Sequence, residues 1–233
     1  MRSASFAKDY KKVYFSNFIK NKPHFLFINC ISLKDDFKYL KKNVFYFKLY
    51  NSYGTCPSDI KNERNRSEIR SGIIDSKKDY SLLFDFKLIP NEELLDWISI
   101  FQIKCQKPKL PLIKIQTSSK NNSNRGFLMI ENRYIDSVNI GKSKIKFTRD
   151  VILSNKNWIN NWNSAKIDFK SSRYNNSLIS ININGIEKSY FGPRKGKNCY
   201  FKFGLYSNRY KDKPNSFIKS ELYLKDVKLK ESN

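Results

Sequence analysis

The stretch NERNRSEIRSG, Asn62 to Gly72, sets Arg66, Glu68 and Arg70 at alternate positions, with Ser67 and Ile69 between them. In an extended strand alternate side chains share a face, so the two arginines and the glutamate would point one way. The same rule applied to DWISIFQIKC puts Trp97, Ser99, Phe101 and Ile103 on one face and Ile98, Ile100, Gln102 and Lys104 on the other. In CYFKFGLYS it gives an apolar face of Phe201, Phe203 and Leu205 and a polar face of Tyr200, Lys202, Gly204 and Tyr206. Brought together on one sheet, these polar faces would line a groove suited to a chain bearing carboxylates. Arginine binds carboxylate in a bidentate way, and Gly204 would leave room for a ligand to approach the backbone.

Three strands on one face require a sheet around them. From Val44 onward the chain reads as short aromatic and β-branched runs, among them VFYFKLYN, YSLLFDFKLI, LPLIKIQT, GFLMIENRYI, KIKFTRDVIL, SAKIDFKS, SLISININGIEKSYF and SELYLKDVKL. Each has strand length, and turn-rich polar segments separate them. Asn184-Gly185 is the strongest hairpin signal, because both residues accept the positive φ of a type I′ turn. Long loops are expected at SSKNNSNRG and SNRYKDKPNS. This pattern predicts an all-β fold, a concanavalin-like β-sandwich of the jelly-roll kind, over residues 44–233. Residues 1–43 read as an N-terminal extension of mixed or helical character and unknown role, with a helix considered in DDFKYLKKN.

Composition narrows the function. The 233 residues hold 45 Lys+Arg against 21 Asp+Glu, a net charge of +24. A polyanionic partner is implied, although part of the excess belongs to a composition rich in Lys, Asn, Ile, Phe and Tyr throughout. Mean hydropathy is −0.63 and no apolar run is long enough to span a bilayer. The N-terminal residues show no apolar segment of signal-peptide type. Cys30, Cys56, Cys105 and Cys199 have no metal-ligand spacing; they could pair in three ways or remain thiols. Neither a metal nor another cofactor is expected. The single histidine, His24, stands beside a proline and an apolar run and reads as structural. There is no GxGxxG, P-loop, HExxH or G-x-S-x-G.

RSEIR, QIK and YFKFGLY, in that order, resemble the three signature segments of the jelly-roll polysaccharide lyases, the alginate lyase and heparin lyase I-like group. There they run approximately R-S/T-E-L-R, Q-I-H and Y-F-K-x-G-x-Y. The similarity extends from about Val44 to Leu229 and includes the W…NG stretch before the last segment. The resemblance implies a sandwich whose concave sheet binds an acidic polysaccharide and cuts it by β-elimination. It further implies that Arg66 and Gln102 neutralise the uronate carboxylate and that Tyr206 protonates the leaving oxygen. Glu68 would orient the arginines, Arg70 and Lys202 would bind sugar groups, and Tyr200 would support the groove.

The sequence departs from the pattern at Lys104, which stands where the family has histidine. Three readings follow: Tyr206 serves as base and acid, Lys104 serves as base, or the elimination chemistry is lost. An ordinary lysine pKa of about 10.4 makes Lys104 a poor base near neutrality, so a fixed cation with Tyr206 carrying the proton is the favoured assignment. The alternative is a noncatalytic acidic-glycan-binding module of the same fold. Nucleic-acid binding ranks lowest, since the basic residues form no stripe and no nucleic-acid-binding signature appears. Two-carboxylate glycoside hydrolysis would need paired acids on the polar face, where only Glu68 is expected.

Overall fold

The computed structural model describes residues 12–19, 22–29, 37–40, 44–51, 57–75, 78–91, 97–107, 111–118, 126–136, 144–170, 176–193, 197–208 and 217–232. Cys30, Cys56 and most of both long polar loops lie outside these residues. Two antiparallel sheets face each other. The first runs β1(Lys12–Ile19), β2(Lys22–Asn29), β5(Arg64–Arg70), β14(Lys197–Asn208), β7(Ile98–Lys107), β8(Pro111–Thr117), β9(Leu128–Asp136), β10(Lys144–Leu153). The second runs β13(Ile186–Pro193), β12(Asn176–Ile183), β11(Asn163–Lys170), β6(Asp79–Pro90), β15(Ile218–Ser232), β4(Val44–Tyr50), β3(Phe37–Leu40). This is the β-sandwich that the short alternating runs predict.

The core follows from period-2 alternation. β6 buries every second residue, Tyr80, Leu82, Phe84, Phe86 and Leu88, and β4 buries Phe45, Phe47 and Leu49. Opposite them the first sheet presents Ile69, Phe101, Ile103, Phe201, Phe203 and Leu205. Phe84 meets Phe203 edge-to-face across the two layers at 5.6 Å, and within the first sheet Phe203 meets Phe101 in the same way at 5.3 Å. Asn184 (φ 52°) and Gly185 (φ 85°) form the expected tight turn between β12 and β13, and the Asn184 side chain also accepts from the Ser164 N–H.

One reading of the sequence is corrected. Phe37–Leu40, inside the segment considered for a helix, is strand β3 and pairs with β4. Here tertiary pairing overrides local propensity. β2 also pairs with β5, from Phe27 opposite Arg70 to Asn29 opposite Glu68. His24 lies on β2 opposite Phe15.

Cys105 and Cys199, directly opposite on β7 and β14, form a disulfide with a sequence separation of 94. Closing a loop of that length contributes about 4–5 kcal/mol in the chain-entropy treatment. The bond joins two of the three strands that carry the polar face, one residue from Lys104 and one from Tyr200.

Candidate active site

β5, β14 and β7 are neighbours, so the three segments meet as expected. Their register is set by Arg70 opposite Lys202, Glu68 opposite Gly204 and Arg66 opposite Tyr206 on one side of β14. On its other side Lys202 faces Gln102 and Tyr200 faces Lys104. All eight expected site residues, Arg66, Glu68, Arg70, Gln102, Lys104, Tyr200, Lys202 and Tyr206, therefore share one neighbourhood on the face away from the core.

That face is no ordinary solvent face. Glu68 and Lys202 are each 1% exposed although they point away from the sandwich core. A buried charge must be matched, and these are matched closely. The Glu68 carboxylate accepts from Lys202 Nζ, from Gln102 Nε2 at 2.7 Å and from Arg66 Nη1 at 3.3 Å. Burial draws the Lys202 ammonium down to about 8 while Glu68 holds it up. Arg66 donates through Nε and Nη2 to both oxygens of Asp59, which is 1% exposed on the short helix α1(Pro57–Lys61). Its guanidinium lies 4.7 Å from the centre of the Tyr206 ring, and that of Arg70 lies 5.2 Å from the centre of the Tyr200 ring.

Tyr206 and Lys104 are differently placed. Burial pushes the Tyr206 hydroxyl up, with the Arg66 cation opposing, and the hydroxyl makes no hydrogen bond among the described residues. Burial lowers Lys104, and the nearby Arg66 cation lowers it further. Among the described residues Lys104 makes no salt bridge.

Two details differ from the strict-alternation reading. Pairing is irregular between Ser99 and Phe101, where Ile100 and Phe101 both enter the core. Ser99 consequently faces Tyr206 and Gln116 on the polar side. Trp97 joins it there, donating its indole N–H to Gln116 Oε1 and meeting the Tyr206 ring edge-to-face at 5.5 Å. Gly204 also has a different reason from the one expected. Its φ is +125°, and a Cβ would come within 2.1 Å of the Ser67 carbonyl oxygen and 3.0 Å of the Phe47 ring. Glycine is required there by backbone conformation and by the neighbouring strand, not by an approaching ligand.

The polar face continues beyond the three segments. Register links Arg70, Lys202, Gln102, Lys114, Glu131 and Arg149 into one row across β5, β14, β7, β8, β9 and β10. Glu131, 1% exposed, holds Lys114 Nζ at 2.9 Å, Arg133 Nη2 at 2.7 Å and Arg149 Nε at 3.0 Å. These cations overcome the effect of burial and draw its carboxyl down to about 2. Glu68 is thus not the single acid of this face, but Glu131 is bound by cations and suits no hydrolytic pair. Asp59, Trp97, Ser99 and the Glu131 cluster were not singled out from sequence. Alternation in LIKIQT and MIENR signals Lys114, Gln116, Glu131 and Arg133; nothing local signals Asp59.

The described residues contain no cluster suited to a metal, and no helix among them is long and apolar enough to cross a membrane. No family model matches the sequence, and no curated protein matches it at a significant level. Solved structures do match. The alginate lyase from Corynebacterium sp. is 15% identical with a TM-score of 0.60, covering 87% of this chain and 83% of that one. The alginate lyase from Pseudomonas aeruginosa is 16% identical with a TM-score of 0.56, covering 84% and 86%. The endo-β-1,4-glucuronan lyase from the fungus Trichoderma reesei is 13% identical with a TM-score of 0.56, covering 88% and 86%. The chain has the β-sandwich fold of the jelly-roll polysaccharide lyases.

Proposed function

We propose that this chain is a polysaccharide lyase that cleaves a uronate-containing glycan by β-elimination. The observation that carries the reading is the juxtaposition of Tyr206 with the Arg66 cation, itself held by buried Asp59 and Glu68, and of Lys104 on the neighbouring strand. The fold shared with alginate and glucuronan lyases supports it.

The difficulty of the reaction is the weak acidity of C5–H beside a carboxylate. Removing that proton develops a second negative charge on the carboxylate, and positioned cations and donors lower the barrier most where that charge appears. Lys104 supplies a cation that is not already neutralised by a carboxylate among the described residues. Gln102 spends one amide N–H on Glu68 and has a second to give. Arg66, fully engaged along its inner edge by Asp59, contributes its field rather than a bidentate clamp.

Tyr206, as phenolate, takes the C5 proton. The C5–H electrons become the C4–C5 double bond, the bond from C4 to the glycosidic oxygen breaks, and that oxygen takes the proton back from Tyr206. Arg70 borders the sugar, buried Lys202 and Glu68 brace each other and the cations beneath it, and Tyr200 supports the groove wall. Arg66 favours the phenolate that burial disfavours, so turnover should rise with pH while Lys104 remains charged.

Tyr206→Phe tests the assignment. Substrate binding should persist while formation of unsaturated product falls at least about a hundredfold, the scale of a lost general acid–base. Unchanged turnover would remove Tyr206 from the chemistry. Binding by the native protein with no product from any uronate glycan would leave a noncatalytic module of the same fold.

A further inference from the structure

We propose that the β8–β10 end of the polar row is a second anchoring site for the same acidic glycan, several sugar units from the bond that is cut; the inference rests on the lyase reading. Arg149 lies four strands from Lys202, about 19 Å at ordinary strand spacing. A glycan crossing the strands from Tyr206 on β14 toward β10 would reach Arg149, whose side chain is 51% exposed.

Two independent features mark this end as a surface for sugar. The first is charge. A single carboxylate, Glu131, orients Lys114, Arg133 and Arg149, so the cluster keeps a net positive charge while its side chains are held in place. Arg149 spends Nε on Glu131, and its side chain is 51% exposed, which leaves the outer edge of the guanidinium in position to meet a second carboxylate. The second is shape. Phe147, on the same face of β10 and opposite Arg133 on β9, is 55% exposed, and the Arg149 guanidinium lies 4.8 Å from its ring centre. One exposed aromatic is ordinary. An exposed aromatic beside oriented arginines offers both things a uronate presents, an apolar C–H face for the ring and a carboxylate for the cations.

The fixed geometry also lowers the cost of binding. Lys114 and the arginines are already ordered by Glu131, so less side-chain entropy is lost when the glycan arrives. Since Arg149 and Phe147 stand on β10, four strands from Tyr206 on β14, they should act on affinity for long chains and not on the elimination step.

The experiment is calorimetric titration with purified oligouronates, from disaccharide to octasaccharide, in the Tyr206→Phe background to slow cleavage. Arg149→Ala and Phe147→Ala are compared with that parent; both sites are exposed, so folding should be preserved. Octasaccharide should bind roughly tenfold more weakly in each variant, the scale of one charge-assisted hydrogen bond, while disaccharide binding is unchanged. Equal octasaccharide affinity in parent and variants would overturn the second site while leaving the lyase reading intact. Failure of the parent to bind any oligouronate would bring down the functional reading and the second site with it.

Discussion

Replacing Glu68 by glutamine removes the carboxylate at the centre of the buried network while keeping its size. Lys202, 1% exposed, then has no anion at Glu68's position. Breaking a buried pair by removing one partner usually costs about 3–5 kcal/mol. Lys202 limits the damage because it can give up its proton. Burial has already drawn it from 10.5 to about 8, so neutralising it at pH 7 adds only about 1 kcal/mol beyond what the native protein bears. The glutamine keeps one accepting oxygen, so only one of the two donors, Arg66 Nη1 or Gln102 Nε2, loses its acceptor, which adds about 1 kcal/mol. The total is about 2 kcal/mol, or about 4–8 °C in Tm for a chain of this size.

The pH dependence has a definite sign. The folded-state pKa of Lys202 lies below its unfolded value, so its charge-burial penalty is full below about 8 and relaxes as pH rises from there toward 10.5. In Glu68→Gln the folded pKa falls further and the relaxation begins at lower pH. The deficit of the variant should therefore be larger below about 8, shrink as pH rises toward 8, and level off above it. Urea unfolding followed by tryptophan fluorescence, at several pH values on both sides of 8, measures it, and Glu68→Gln/Lys202→Met should recover part of the loss. A deficit below about 1 kcal/mol at neutrality, or one that grows with pH, would refute this reasoning.

Other outcomes follow from the same geometry. Gly204→Ala combines a φ of +125° with a Cβ 2.1 Å from the Ser67 carbonyl oxygen, and should cost more than about 3 kcal/mol in the same unfolding assay; a milder loss would mean that β14 shifts freely against β5. Lys104 distinguishes cation from base: Lys104→Arg should keep most activity and Lys104→Met should lose it, whereas an inactive arginine variant would point to proton transfer through the lysine. As a cation of lowered pKa, Lys104 should also make KM worsen as pH climbs toward 10.5, and that rise should vanish in Lys104→Arg. A KM that improves over the same range would contradict the cationic role.

Much of the site was legible because strand alternation is a local property. RSEIR, QIK and YFKFGLY carry their polar residues at alternate positions, and antiparallel pairing of β5, β14 and β7 then brings those residues together. Trp97 and Ser99 were placed on the wrong face because alternation fails where Ile100 and Phe101 both turn inward, and an irregularity of that kind has no signature in the residue types. Asp59 was invisible for another reason: it reaches Arg66 from a short helix whose local sequence says nothing about the strand beside it. The Cys105–Cys199 pairing and the row from Arg70 to Arg149 depend on register, which follows from the assembled sheet. At β3 a segment considered for a helix became strand because β4 offered it an edge.

The most direct test of a lyase is ultraviolet absorbance of the purified protein incubated with alginate, glucuronan, heparin or heparan sulfate, since elimination creates a conjugated double bond absent from the substrate. A steady rise with at least one of these uronate polymers, abolished in Tyr206→Phe, is the predicted result. No rise with any of them, while the protein still binds one, would contradict elimination and identify the polar face as a surface for binding alone.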